Sequence, residues 1–160
     1  MFSFLKKKDD GIVIAAPVKG EAVALSKVSD PTFGEGMMGK GIAILPEEGK
    51  VYAPADGEIS LLFDTLHAVS IVTPDGVEIL IHIGLETVAL KGDGFEGHAK
   101  TGDQVKKGDL LISMDLDKLK AGGYDTISPV VICNTDEFQD VQSLAEGPVQ
   151  PGDPVIKIIK

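Results

Sequence analysis

The sequence has no apolar run close to the roughly 20 residues that cross a bilayer as a helix, so a helical membrane span is excluded. Its start, MFSFLKKKDD, lacks a long apolar stretch and a small-residue cleavage site, and no secretory leader is read there. Cysteine is almost absent. Cys133 stands alone in SPVVICNT, and a single thiol in a valine-rich run reads as a reduced core residue, which makes the cytoplasm the default compartment. Basic charge is in deficit: 15 Lys and Arg face 25 Asp and Glu, for a net charge of −10. Phosphate backbones select basic patches, so nucleic acid is excluded as a partner. The acidic balance suits a partner that presents a basic face. Helix signals are few. DLDKLKAGG is expected to form one or two turns ending at Gly122, and TDEFQDVQSLAEG to do the same with Thr135 as N-cap and Gly147 beyond the end.

What the chain has instead is short, punctuated apolar runs. IVIAAP, KGIAILP, EISLLF, HAVSIVT, VEILIHI, DLLISM, SPVVIC and PVIKII are rich in Val and Ile and bounded by turn residues. That spacing predicts an all-β sandwich or barrel. At 160 residues, the chain is read as a tail over 1–10 and a single domain over 11–160. Two internal repeats stand out. APVKGEAVAL (16–25) resembles APADGEISLL (53–62), and VKKGDLLI (105–112) resembles VQPGDPVI (149–156). Repeated turns of this kind predict two similar β-halves packed together.

The chemistry-bearing residues are His67, His82 and His98. Alternation along VEILIHIG sets Val77, Ile79, Ile81 and Ile83 on one face and Glu78, Leu80, His82 and Gly84 on the other. Pro74-Asp75-Gly76 is a hairpin signal. A turn centred near 74 and 75 makes His67 and His82 cross-strand neighbours on one face. Structural and functional readings of that pair both stay open. A neutral imidazole can attack a phosphoryl group and hold it as a labile phosphoramidate. The Gly84 carbonyl could hold the first ring, Thr65 could orient His67, and the second ring could donate to phosphoryl oxygens. Alternatively the pair supplies half a tetrahedral zinc shell, with no third ligand in evidence. His98, in GFEGHAKTG, reads as a surface residue.

GVEILIHIGLETV (76–88), with a second histidine correctly spaced before it, resembles the phosphorylation-site motif of the glucose-type IIA components of the bacterial phosphoenolpyruvate:sugar phosphotransferase system. The resemblance runs from IAAPVKGE to PVIKIIK. It implies an antiparallel β-sandwich with two similar halves. It implies that His82 is phosphorylated on Nε2, that His67 supports onward transfer, that Thr65 orients His67, and that the Gly84 carbonyl orients His82. It also implies a docking ring of Phe33, Met37, Met38, Phe63, Val69, Leu80 and Val88, flanked by Asp30 and Glu86. Some relatives carry phenylalanine at positions 69 and 80, and aspartate at 86. The implied partners are HPr as donor and the IIB domain of a sugar permease as acceptor. Permeases or metabolic enzymes regulated by the phosphorylation state are further expected partners, and the chain is expected to be a monomer. No cofactor is required, although zinc could bind between His67 and His82. A zinc hydrolase on a related fold would need a His-x-His pair, which Ile-His-Ile-Gly does not supply. Phe2, Phe4 and Leu5 beside Lys6, Lys7 and Lys8 read as a frayed terminus or as a weak membrane-surface anchor.

Overall fold

The computed structural model describes residues 11–160, so the expectation for MFSFLKKK lies outside the described residues. Among these, no helix is long and apolar enough to cross a membrane. The strands are β1 (Ile12–Ala15), β2 (Gly20–Ala24), β3 (Lys40–Pro46), β4 (Lys50–Tyr52), β5 (Gly57–Leu62), β6 (Ala68–Val72) and β7 (Glu78–His82). Then follow β8 (Phe95–Gly97), β9 (Gln104–Val105), β10 (Leu110–Met114), β11 (Ser128–Ile132), β12 (Asp140–Ser143), β13 (Gly147–Val149) and β14 (Pro154–Ile159). Two short helices join them, α1 (Pro31–Gly34) and α2 (Leu116–Ala121). The second ends at Gly122 as expected, and Asp115 caps its start by accepting from the Lys118 N–H at 3.1 Å.

The main sheet has the order β13-β2-β3-β11-β7-β6-β5-β9, and two three-stranded sheets, β1-β14-β12 and β4-β10-β8, complete the fold. All pairings are antiparallel. The main order is symmetric about its centre, and the repeats explain why. In each half the Val-x-x-Gly-Asp turn docks on the Ala-Pro turn. The Gly108 N–H donates to the Ala53 carbonyl at 2.9 Å, and Gly152 does the same to Ala16 at 3.1 Å. Ala53 donates to the Asp109 carbonyl and Ala16 to that of Asp153, both at 2.8 Å. Each Asp also closes its own turn, Asp109 on the Lys106 N–H at 2.9 Å and Asp153 on the Gln150 N–H at 2.8 Å. Gly108 and Gly152 have φ of +95° and +99°, a backbone region open to glycine at no steric cost.

Strand alternation sorts the apolar residues onto two faces of the main sheet. Ile42, Ile44, Ile79, Ile81, Val130 and Ile132 enter the large core between the sheets. Their alternates Ala43, Leu80 and Val131 join Val28, Phe33, Ala68, Leu85 and Ile127 in a smaller cluster on the opposite face. This smaller cluster is the floor on which the site is built.

Two expectations are corrected. TDEFQDVQSLAEG is not helical: it is a single 3-10 turn over Thr135–Glu137 followed by β12. The free side of β14 recruits Asp140–Ser143 as a strand, and ladder bonds to a distant partner outweigh local helix propensity. Thr135 is no N-cap, because its hydroxyl donates to the Ile132 carbonyl at 2.6 Å and accepts from the Lys40 N–H at 3.0 Å. Gly147 opens β13 rather than following a helix. Cys133 is not a core residue but is exposed. It lies one position past the end of β11, where the alternation that buries Val131 has run beyond the covered cluster.

Candidate functional site

The β6–β7 hairpin carries both histidines. Its turn is closed by the Gly76 N–H on the Thr73 carbonyl at 2.9 Å and the Val77 N–H on Thr73 Oγ1 at 3.1 Å. Asn134 braces it from outside, donating to the Gly76 carbonyl at 2.8 Å and accepting from the Glu78 N–H at 3.0 Å. The register is one residue from the expected one: Ala68, not His67, stands opposite His82. Strict alternation would therefore send His67 to the core side with Val69. It escapes because β6 starts only at Ala68, and a tight turn precedes it. The Leu66 N–H bonds the Phe63 carbonyl at 2.8 Å, and Leu66 itself sits at φ +60°. The His67 carbonyl still holds the ladder, accepting from the Ile83 N–H at 2.7 Å. Its ring comes to rest 5.1 Å from that of His82, centroid to centroid, at an interplanar angle of 78°. Ala68 presents only a methyl group on the His82 face, which leaves room for two rings.

Each ring is held by one nitrogen. His82 Nδ1 lies 2.7 Å from the Gly84 carbonyl oxygen. A carbonyl can only accept, so the proton is on Nδ1 and the Nε2 lone pair is free. His67 Nδ1 and Thr65 Oγ1 share a hydrogen bond of 2.5 Å. Phe33 packs against the His82 ring at 5.0 Å and Phe63 against the His67 ring at 5.3 Å. His67 is buried and His82 is half-buried.

Burial first, and the neighbouring His82 second, hold the His67 pKa below the ordinary imidazole value. Burial also lowers that of His82, against the opposing pull of the Gly84 carbonyl and the Asp30 carboxylate. Both shifts favour the neutral imidazole at pH 7, the state from which a ring nitrogen can attack. The sign for stability follows. The folded chain binds these protons less readily than the unfolded chain, so their contribution is intact above the unfolded pKa of about 6.5 and is lost as pH falls below it. Thermal unfolding between pH 7 and 5 is expected to show a falling midpoint, with a shallower slope in the His67→Gln/His82→Gln variant. An equal slope in both proteins would contradict this.

The expected docking residues separate into groups. Met37, Met38 and Val88 are exposed, Met37 most strongly, at 74%. Glu86 is exposed, and Phe63 is half-buried beside His67. Asp30 caps α1 through the Thr32 N–H at 3.0 Å, and so sets the helix that carries Phe33 to His82. Phe33 and Leu80 are buried in the small cluster and form floor rather than rim. Val69 is corrected: opposite Ile81, it is fully buried in the large core and cannot touch a partner. His98 is exposed, as expected, and bonded to Ser113 Oγ at 2.7 Å. No group of three or more His, Cys, Asp or Glu that could hold a metal occurs among the described residues. Sequence reasoning missed Asp125, Thr87 and Ser128, which surround Gly84. For Thr87 and Ser128 the only signal was a hydroxyl residue beside apolar segments; Asp125, which acts through its backbone carbonyl, left none.

Gly84 has φ +72°, and a Cβ there would stand 2.9 Å from Thr87 Cγ2 and 3.0 Å from the Asp125 carbonyl oxygen. Gly84→Ala is expected to cost roughly 1–3 kcal/mol, measured by urea unfolding. A neutral result would mean that the turn relaxes freely.

Fold and site together define a small antiparallel β-protein with a paired-histidine surface site. Residues 12–138 match the family described as phosphoenolpyruvate-dependent sugar phosphotransferase system, EIIA 1. The chain is 40% identical over 153 residues to a PTS system glucose-specific EIIA component of Oceanobacillus iheyensis, covering 96% of this chain and 93% of that one. It is 48% identical over 146 residues to a PTS system beta-glucoside-specific EIIBCA component of Bacillus subtilis, covering 91% of this chain but only 24% of that longer protein. A solved glucose permease IIA from Mycoplasma capricolum superposes with a TM-score of 0.88 at 35% identity, covering 94% of this chain and 97% of that one. The chain belongs to the EIIA 1 family of the sugar phosphotransferase system.

Proposed function

We propose that the protein is a cytoplasmic phosphocarrier that takes a phosphoryl group from the phosphohistidine of HPr onto His82 Nε2 and passes it to a cysteine of a IIB domain. The observation that carries this reading is the His82 Nδ1–H bond to the Gly84 carbonyl, which leaves Nε2 as the only lone pair on that ring. In the first step the donor's P–N bond breaks and a new P–N bond forms at Nε2. The His82 proton stays on Nδ1, where the carbonyl stabilises the positive charge that develops on the ring. His67 serves the phosphoryl oxygens: when Thr65 donates to Nδ1, the ring proton lies on Nε2 and can bond the phosphate. In the second step the His82–P bond breaks and an S–P bond forms on the acceptor thiolate, returning His82 to its starting state.

A carrier serving two partners in turn requires a site that each can reach, and exposed apolar side chains fit that role. Met37, Met38 and Val88 would be covered in either complex, keeping water from the phosphoryl group. Flexible methionines fit more than one partner surface. The net charge of −10 favours a donor with a basic face. The names of the relatives include glucose and beta-glucoside systems, and sugar choice belongs to the membrane partner. The test is incubation with phosphoenolpyruvate, enzyme I and HPr. Acid-labile, base-stable label on the protein, passed on to an added IIB domain, is the expected result. A chain that takes no label from phosphorylated HPr would overturn the reading.

A further inference from the structure

We propose that Thr87 and Ser128 are positioning residues for this transfer, two buried hydroxyls that clamp the Ile83–Gly84 peptide from its two ends and so aim the Gly84 carbonyl at His82 Nδ1. The inference rests on the phosphocarrier reading above and names two residues that act on the nucleophile without touching the phosphoryl group.

A peptide beside a left-handed glycine is the least constrained by its own sterics, so its direction must be imposed from outside. Here a set of hydrogen bonds around Gly84 imposes it. Thr87 Oγ1 donates to the Ile83 carbonyl at 2.5 Å, and the Gly84 N–H donates to Ser128 Oγ at 3.2 Å. These bonds hold the two ends of one peptide group. The Ser128 hydroxyl in turn donates to the Thr126 carbonyl at 2.9 Å, which fixes its lone pairs toward Gly84. On the next peptide the Leu85 N–H donates to the Asp125 carbonyl at 2.9 Å, while the Gly84 carbonyl accepts from His82 Nδ1 at 2.7 Å. The result is a chain of polarised groups: the Asp125 carbonyl, the Leu85 N–H, the Gly84 carbonyl and the imidazole. Each bond in such a chain strengthens the next.

The placement is specific. Ser128 is 1% exposed in β11, among Pro129, Val130, Val131 and Ile132, and Thr87 is 0% exposed. An unsatisfied hydroxyl at either place would be costly, yet neither is unsatisfied and both point their bonds at the same peptide. If the clamp fails, the carbonyl can turn from Nδ1. The imidazole can then move its proton to Nε2, which removes the nucleophilic lone pair.

The test uses the isosteric Thr87→Val, the smaller Ser128→Ala, and Thr87→Ser, which keeps the hydroxyl. The first readout is the His82 tautomer, followed by ring ¹⁵N NMR of the full chain at alkaline pH, where the imidazole is neutral. The second is the initial rate of phosphorylation by HPr. The proposal expects a single Nδ1–H tautomer in the parent, a mixture with Nε2–H in Thr87→Val and Ser128→Ala, and rates lower by roughly ten- to a hundredfold. Thr87→Ser restores the tautomer and most of the rate. If Thr87→Val keeps the parent tautomer and rate while only its melting point falls, the two hydroxyls are structural and the proposal is wrong. Should Ser128→Ala not fold, Thr87→Val decides alone. Should even the parent take no phosphate, the phosphocarrier reading fails, and the tautomer measurements still decide whether the clamp exists.

Discussion

His82→Ala is expected to take up no acid-labile phosphate from HPr, with a rate on the order of 10⁴-fold or more below the parent, while the protein stays folded. In the proposed transfer the nucleophile is the Nε2 left free by the Gly84 bond, and no neighbour would replace it. His67 has one nitrogen engaged by Thr65 at 2.5 Å, and burial, then the neighbouring His82, hold its pKa below the ordinary imidazole value. The fold tolerates the change because His82 closes the end of β7 and is only half-buried, whereas the buried side chains of that strand, Ile79, Leu80 and Ile81, remain. Labelling from phosphoenolpyruvate, followed by acid and base treatment, measures the outcome. Label that persists in His82→Ala moves the nucleophile elsewhere, and the His67→Gln/His82→Ala double variant would show whether His67 has taken it.

His67→Gln is expected to separate the two half-reactions. Acceptance from HPr continues at a rate within about tenfold of the parent, while transfer to the IIB cysteine falls by roughly a hundredfold or more. The reason is charge. In the first step one imidazole replaces another at phosphorus, and neither the attacking nor the leaving group is an anion. In the second, a thiolate approaches a phosphoryl dianion, and their repulsion must be offset. His67 lies 5.1 Å from the His82 ring and can do this by becoming a cation. In the free protein burial and His82 hold its pKa down, but an adjacent dianion would raise it and place the positive charge where it is needed. Glutamine can donate a hydrogen bond but cannot carry that charge. Stopped-flow measurement of each half-reaction, with the IIB domain added second, tests this. Equal losses in both steps would refute the division of roles.

Much of this architecture was legible in the chain because its causes are local. The Val and Ile alternation of VEILIHIG assigned Ile79, Ile81 and Ile83 to the core and His82 to the other face, and the structure agrees. The turn at Pro74-Asp75-Gly76 announced the hairpin, and the paired Ala-Pro-x-x-Gly-Glu and Val-x-x-Gly-Asp segments announced the two halves. These signals depend on residues within a few positions of one another, so a sequence displays them directly.

Tertiary structure decided the remainder. The hairpin register was out of reach because one residue of slip exchanges every side chain between faces. That slip sends Val69 into the core. Nothing in the sequence shows that a left-handed Leu66 lets His67 escape the same fate. Asp140–Ser143 looks helical until β14 is in place to pair with it. The clamp on Gly84 joins Ser128 to a peptide 44 residues away in sequence. A sequence by itself determines which groups are available and which turns are cheap. Which groups meet across the sheet is set by packing, because long-range hydrogen bonds and buried area exist only once the chain has closed on itself.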